Sequence, residues 1–269
     1  MRLARPSATE IVCYAIILFL VVCAVSPWLV APGDPLAIDP ASAFQPPSLH
    51  HLFGTDESGR DLYTRVVYGA GPSLLIGIAA TAIGIILAIV LGTAAGLGPR
   101  WLDFGTSRLL EVLFALPGLL LALLFIVVYG PGVATSTIAV GLATAPGYAR
   151  IVRSQMRSVS GAAYVEASLV LGRTGWQRFS RTILPNVGAT LFVLVTLGVG
   201  QSIVWASSLS YLGLGAKPPT AEWGALLAAG RTYISSFWWL TFFPGVFIVL
   251  SAAAATALGR SWQNRGRRA

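Results

Sequence analysis

The chain has 269 residues, of which 55% are hydrophobic and only 10% charged, and its net charge is +8. A soluble domain carries about 25% charged residues, so this composition excludes a soluble enzyme, a disordered chain and a disulfide-built secreted domain. The long stretches are apolar all round rather than alternating, which points to an all-α integral membrane protein.

A bilayer core of about 30 Å takes about 20 helical residues, and six segments fit as spans. The first runs from Ile11 to Ala31. Arg2 and Arg5 ahead of it give a signal-like start, but no small-x-small cleavage site follows, so a retained helix is expected. Its Cys13 and Cys23 would lie about 15 Å apart along a helix, too far to bond. The second span is Ser73 to Leu97, with small residues at every fourth position: Ala80, Gly84, Ala88, Gly92 and Gly96. The third, Leu109 to Val128, carries Pro117 and has Glu111 in its first turn. Val133 to Ala149 is the fourth and shortest. The fifth, Val187 to Ser208, and the sixth, Phe237 to Leu258, repeat the small-residue pattern at Gly198, Ser202 and Ala206 and at Ser251, Ala255 and Gly259. Lipid gives helices no hydrophobic reason to associate, so these ladders are packing faces. They fit a neighbour in this chain or in a partner, and half of a dimeric pore is compatible with them.

Basic residues set the orientation. With the N-terminus inside, segments 1–10, 98–108, 150–186 and 259–269 are cytoplasmic and hold 14 of the 18 basic residues. The outer segments keep Arg60, Arg65, Lys217 and Arg231, together with six of the ten acids. Both termini are expected in the cytoplasm, so the net charge needs no nucleic acid to explain it. The chain divides into 1–72 (N-terminus, first helix and extracytoplasmic segment), a core transmembrane domain over 73–258, and a basic tail over 259–269.

Several chemistries are removed by what the chain lacks. Its single lysine, Lys217, is followed by proline, so no GxxxxGK[ST] phosphate loop exists. The histidines, His50 and His51, sit in an outer loop, which leaves no base at membrane depth for a protease. No acid lies at mid-membrane to relay protons for a secondary carrier.

The segment 150–186 is too long for a plain connector. Arg150, Arg153 and Arg157 fall at helical spacing, where topology anchoring accounts for them and lipid-phosphate contact is the alternative. Ser160-Gly161 breaks that helix. A short helix over 164–172 ends at Gly172, a second amphipathic piece covers Arg173 to Arg181, and Ile183-Leu184-Pro185-Asn186 starts the fifth span. Two short helices joined at Gly172 make a knob suited to a cytoplasmic partner.

These residues resemble a known pattern. Glu166-Ala167-Ser168, Gly172 six positions after the glutamate, and Ile183-Leu184-Pro185 are similar to the EAA loop of ABC importer permeases. Gly54-Thr55-Asp56-Glu57-Ser58-Gly59-Arg60-Asp61 before the second span adds to the match. So does Leu209 to Gly215, continuing through Pro218-Pro219 to Glu222-Trp223-Gly224. Both look like the C-type permease of dipeptide, oligopeptide and nickel importers, in order and spacing from about residue 10 to 260. Ser168 replaces an alanine of the pattern and Thr182 an isoleucine.

The resemblance implies a type I ABC importer permease fold in a bacterial inner membrane. It implies a second homologous permease, two ATPase domains that bind ATP and Mg, and an extracytoplasmic solute-binding protein. This chain itself would hold no cofactor or metal and catalyse nothing. Glu166, Ala167, Ser168 and Gly172 would contact an ATPase, and Ile183, Leu184 and Pro185 would carry force into the fifth span. Asp56, Arg60, Asp61, Glu222 and Trp223 are the candidates facing the binding protein. For Asp56 and Asp61 a plain amphipathic surface stretch is the favoured reading. Glu222-Trp223 is expected in a re-entrant or surface piece closing the path, and Trp223, Trp238 and Trp239 also fit an interfacial aromatic belt. A nickel importer, a stand-alone secondary carrier and a membrane enzyme are the competing readings.

Overall fold

The computed structural model describes residues 7–266, with side chains to Gln263. Arg2, Arg5, Arg267 and Arg268 of the basic segments lie outside the described residues. Among the described residues twelve α-helices follow one another, joined by short turns and two longer loops. They are α1 (Ala8–Val25), α2 (Pro27–Val30), α3 (Leu62–Tyr68), α4 (Ala70–Leu97), α5 (Arg100–Ala115) and α6 (Gly118–Tyr129), then α7 (Val133–Ser160), α8 (Ala163–Val170), α9 (Gly175–Arg178), α10 (Leu184–Tyr211), α11 (Trp223–Gly230) and α12 (Trp239–Gly266).

Among the described residues, four stretches are long and apolar enough to cross a bilayer: Ala8–Val25, Leu62–Leu97, Gly175–Tyr211 and Trp239–Gln263. Six were expected: the third adds a fifth only if its bent pair counts as one span, and the fourth, in α7, is not among these stretches. The first stops at Val25, where Ser26 and Pro27 break it and α2 turns away. The third is not one rod. It breaks into α5 and α6, bent by 91°. Proline cannot donate to the preceding turn and forces the residue before it out of the helical region, and Leu116 accordingly sits at φ −87°, ψ 136°. The fourth is longer than expected. α7 has 28 residues, about 42 Å, so Arg150, Arg153 and Arg157 belong to a helix, and the connecting segment begins at Gly161.

The small-residue ladders have their neighbours inside the chain. A Cβ on Gly84 would meet Thr144 Oγ1 at 2.7 Å, one on Gly92 would meet Ala149 O at 2.8 Å, and one on Gly96 would meet Met156 Cβ at 2.8 Å. The α4 ladder is therefore the groove into which α7 packs over its whole length. On the other side, Gly198 and Ser202 of α10 close on Thr81, the hydroxyls of Thr81 and Ser202 meeting at 3.0 Å. Gly200 approaches the Ala252 carbonyl, and Gly259 of α12 approaches Thr196 and Leu197. Dispersion at this range, not a hydrophobic drive, holds helices together in lipid. The result is a rigid α7–α4–α10–α12 bundle, with α6 beside α7 and α1 beside α12 and α4.

Candidate coupling surface and loop cluster

At the arginine-rich end, α8 is a short helix with two distinct faces. Val165 and Ser168, three apart and so on one side, are buried. Val165 packs into the cluster formed by Met156 and Val152 of α7, Val187 and Leu194 of α10, and Ile183. The serine fits that role because its hydroxyl is satisfied by the Val165 carbonyl at 2.6 Å, leaving a small contact surface. The other face carries Glu166 and Ala167, both exposed. Val170 and Leu171 continue it at 88% and 76% exposure.

Gly172 closes the helix. Its φ is +74°, a conformation that costs an L-residue about 1–2 kcal/mol. Its amide donates to Leu169 O at 2.9 Å, and the Arg173 amide donates to Ser168 O at 3.2 Å. This paired closure satisfies the helix's last carbonyls. The expected second amphipathic piece is continuous with the next span: Thr174 caps α9, and Phe179–Ile183 winds without a break into α10. Thr182 is buried, and its hydroxyl accepts from Arg173 at 3.3 Å. Ile183 lies in the core, while Leu184 and Pro185 stay exposed at the foot of α10.

The same end holds a charged clamp. Asp103 at the start of α5 accepts from Arg153 Nε at 3.0 Å and Nη2 at 2.7 Å, and from Arg157 Nη2 at 2.6 Å. Two of the three arginines expected as topology anchors thus tie the broken span to the end of α7.

At the opposite end, the two motif-bearing loops form one body. Asp56 Oδ2 takes Arg60 Nε at 2.8 Å and Arg65 Nη1 at 2.9 Å, while its Oδ1 accepts the Ser58 and Arg60 amides. Arg65 reaches on to the Pro219 carbonyl at 3.3 Å. Asp61 caps α3 through the Thr64 amide at 2.8 Å and faces His51 Nδ1 at 3.1 Å. Glu222 caps α11, accepting from Gly224 and Ala225 amides at 2.8 and 2.9 Å. Trp223 donates its ring N–H to Val66 O at 2.8 Å, and its backbone amide to Ser73 Oγ at 3.0 Å.

Two expectations are corrected here. Asp56 is buried with two guanidinium groups instead of lying on a membrane-surface stretch. Trp223 is 0% and Glu222 1% exposed, so neither forms part of an aromatic belt or an accessible face. Trp239 is also buried, and of the three only Trp238 is exposed. Burial raises the Glu222 carboxyl above its ordinary value, and the Gly224 amide bond only partly offsets this.

With this geometry in view, known proteins settle the family. Residues 84–267 match the binding-protein-dependent transport system inner membrane component family. The chain belongs to that family. The permease is 39% identical over 249 residues to the di/tripeptide transport system permease protein DppC of Pseudomonas aeruginosa, covering 90% of this chain and 82% of that one. It is 36% identical over 244 residues to the probable D,D-dipeptide transport system permease protein DdpC of Escherichia coli, covering 91% and 82%. Among solved structures, the permease superposes on an amino acid ABC transporter with histidines at TM-score 0.59 and 14% identity, over 76% of this chain and 94% of that one. The MetNI methionine ABC transporter gives 0.58 at 17% identity, over 75% and 97%. These two show the shared fold. The chain is thus an ABC importer permease.

The permease brings Glu166, Ala167, Ser168 and Gly172 together on α8 and its closing turn, with Ile183 in the cluster beneath them. It brings Asp56, Arg60 and Glu222-Trp223 together at the other end. Sequence reasoning missed Val170 and Leu171, although an apolar pair at the end of a helix standing off the bilayer is a readable signal. It also missed Asp103, whose partners lie some 50 residues away and have no local signature.

Proposed function

We propose that this permease is one of two homologous subunits lining the path of an ATP-driven peptide importer. In this reading α8 is the element gripped by the ATPase. The observation that carries it is the two-faced helix: Val165 and Ser168 root it in the α7–α10 cluster, and Glu166, Ala167, Val170 and Leu171 are presented outward. Glu166 offers a carboxylate to a basic group, and the apolar pair offers contact area. The ATPase domains bind ATP and Mg. Closing of the pair pushes on α8, and Ile183, Leu184 and Pro185 pass the push to α10. This chain carries out no bond-breaking step. Peptide as substrate follows from the relatives, which are named as di/tripeptide and D,D-dipeptide transport permeases.

The arginine-rich end then faces the cytoplasm of an inner membrane, consistent with the basic-residue count, and the loop cluster faces an extracytoplasmic binding protein. Within that cluster Asp56, Arg60, Glu222 and Trp223 hold the docking surface in shape from beneath, and Asp61 lies at its edge. The test is reconstitution of the assembled transporter in vesicles. Glu166→Lys should leave the protein inserted yet abolish dipeptide uptake while ATP hydrolysis continues. Normal uptake would overturn the assignment of α8. A periplasmic reporter fused after Arg157 should be inactive and one fused after Trp223 active, and the reverse pattern would invert the orientation.

A further inference from the structure

Where the third span breaks, a cleft of about 560 Å³ opens between the α5–α6 corner, α7 and α10. Phe114, Thr144, Tyr148, Arg150, Gln201 and Trp205 line it. Its size suits a small ligand. The corner itself creates the space: Gly118, the first residue of α6, lies so close to Trp205 that a Cβ would strike the indole, and α5 departs from α6 at 91°.

Two polar groups in the lining are placed to take a ligand. Gln201 is exposed, although it lies well inside the α10 span. It is ten residues from the Tyr211 end, about 15 Å along the helix. Its Oε1 accepts the Tyr148 hydroxyl at 2.9 Å, which orients the amide and leaves its two N–H donors for another group. An amide aimed at hydrocarbon without a partner is costly. Arg150 has its guanidinium 4.2 Å from the centroid of the Phe114 ring. The α7 ion pairs belong to Arg153 and Arg157, and Arg150 takes no carboxylate among the described residues. Held over an aromatic face, it is a positioned cation with N–H groups that no carboxylate takes up among the described residues.

We propose that this cleft is the permease's own contact site for the transported solute, and that the solute is a small peptide with a free terminal carboxylate. This rests on the peptide-importer reading above and extends it to residues. Arg150 pairs with the carboxylate in the two-pronged geometry a guanidinium favours. The Gln201 N–H groups donate to a peptide carbonyl, and Trp205 offers a flat apolar wall. No acidic side chain is in the lining among the described residues, so the chemistry suits an anion-bearing amide and not a metal cation.

Thiol labelling in the reconstituted transporter tests this. Both native cysteines are buried, so the background is low. Ile151→Cys places a reporter on the cleft wall, at a side chain 41% exposed. Leu18→Cys, midway along α1 and 65% exposed, is the lipid-facing comparator. A charged, membrane-impermeant thiol reagent should modify the cleft cysteine at least about tenfold faster than the comparator. A transported dipeptide, supplied with binding protein and ATP, should slow that reaction several-fold. Adding Arg150→Gln should raise the dipeptide concentration needed for protection by about tenfold or more, the scale of a lost charge-assisted hydrogen bond, and Gln201→Ala should raise it by about fivefold, the scale of a neutral one. Equal rates at the two cysteines, or no protection while dipeptide uptake is intact, would overturn the site and leave the importer reading standing. Loss of ATP-driven dipeptide uptake by the unmodified transporter would remove that reading and this site together.

Discussion

At Asp56 one carboxylate faces two guanidinium groups and two backbone amides, all within 3.0 Å. Charges taken out of water stay charged only when matched this well, and removing one partner typically costs about 3–5 kcal/mol. Asp56→Asn should therefore lower the midpoint of thermal unfolding in detergent far more than Asp34→Asn, whose bond is an exposed turn contact. Glu222 predicts a pH effect. Its folded pKa is raised by burial, so its contribution is fully present below the unfolded value and is lost as pH rises through the folded one. The stability of the unmodified protein relative to Glu222→Gln should fall as pH climbs from 4 upward, and unfolding scans across that range read it directly. A pH-independent difference would contradict this. These two residues also mark the limit of sequence reading at this scale. Their presence in a turn-rich motif was legible. Their burial was not, because it depends on Arg65, Pro219 and Val66, which arrive from other parts of the chain.

α8 is short enough that its ends decide its stability. A Cβ at Gly172 has open space around it, so the penalty for replacing it is conformational. Gly172→Ala should loosen the closing turn by about 1–2 kcal/mol and lower peptide-stimulated ATP hydrolysis, whereas Gly172→Asn, better suited to positive φ, should retain more of it. Val170→Asp places a charge on the exposed apolar pair and should reduce co-purification of the ATPase without reducing membrane insertion. The existence of this helix was legible from a glutamate, a spacing and a glycine. The helix through Arg150, Arg153 and Arg157 and its end at Ser160 were legible, but not that it is one continuous helix with the fourth span, because the change from apolar to arginine-bearing residues looks like a boundary. The third span failed for a different reason. Pro117 was visible, and its effect depends on whether packing straightens the chain around it. Here the corner is kept, and α5 is tied sideways to α7 by Asp103.

For the whole molecule, the decisive contacts are glycines facing backbone. Gly92→Val would drive a branched side chain into Val152 and the Ala149 carbonyl, each within 2.8 Å of a mere Cβ. Overpacking of this kind costs about 1–3 kcal/mol, and folded yield in detergent should drop accordingly. Gly105→Val, at a position with nothing within 4 Å, is the control that should be tolerated. The ladder was readable in the sequence as every fourth residue. The identity of its neighbour was not, since a small face fits a groove in this chain or in another equally well. The α4 seam is closed by α7 within this chain.

The continuous run of α10 has a mechanical consequence. Leu184 to Tyr211 is an uninterrupted 28-residue helix, about 42 Å long. Its foot shares a hydrophobic cluster with Val165, and past its head at Tyr211 the chain turns back, the Leu214 amide donating to Leu209 O and the Leu214 carbonyl accepting the Gly132 amide. Such a strut transmits displacement without shortening. A tilt of a few degrees imposed at one end of α10 therefore appears as ångströms of travel at its other end, so the cluster around Val165 and the turn at Leu214 are mechanically joined.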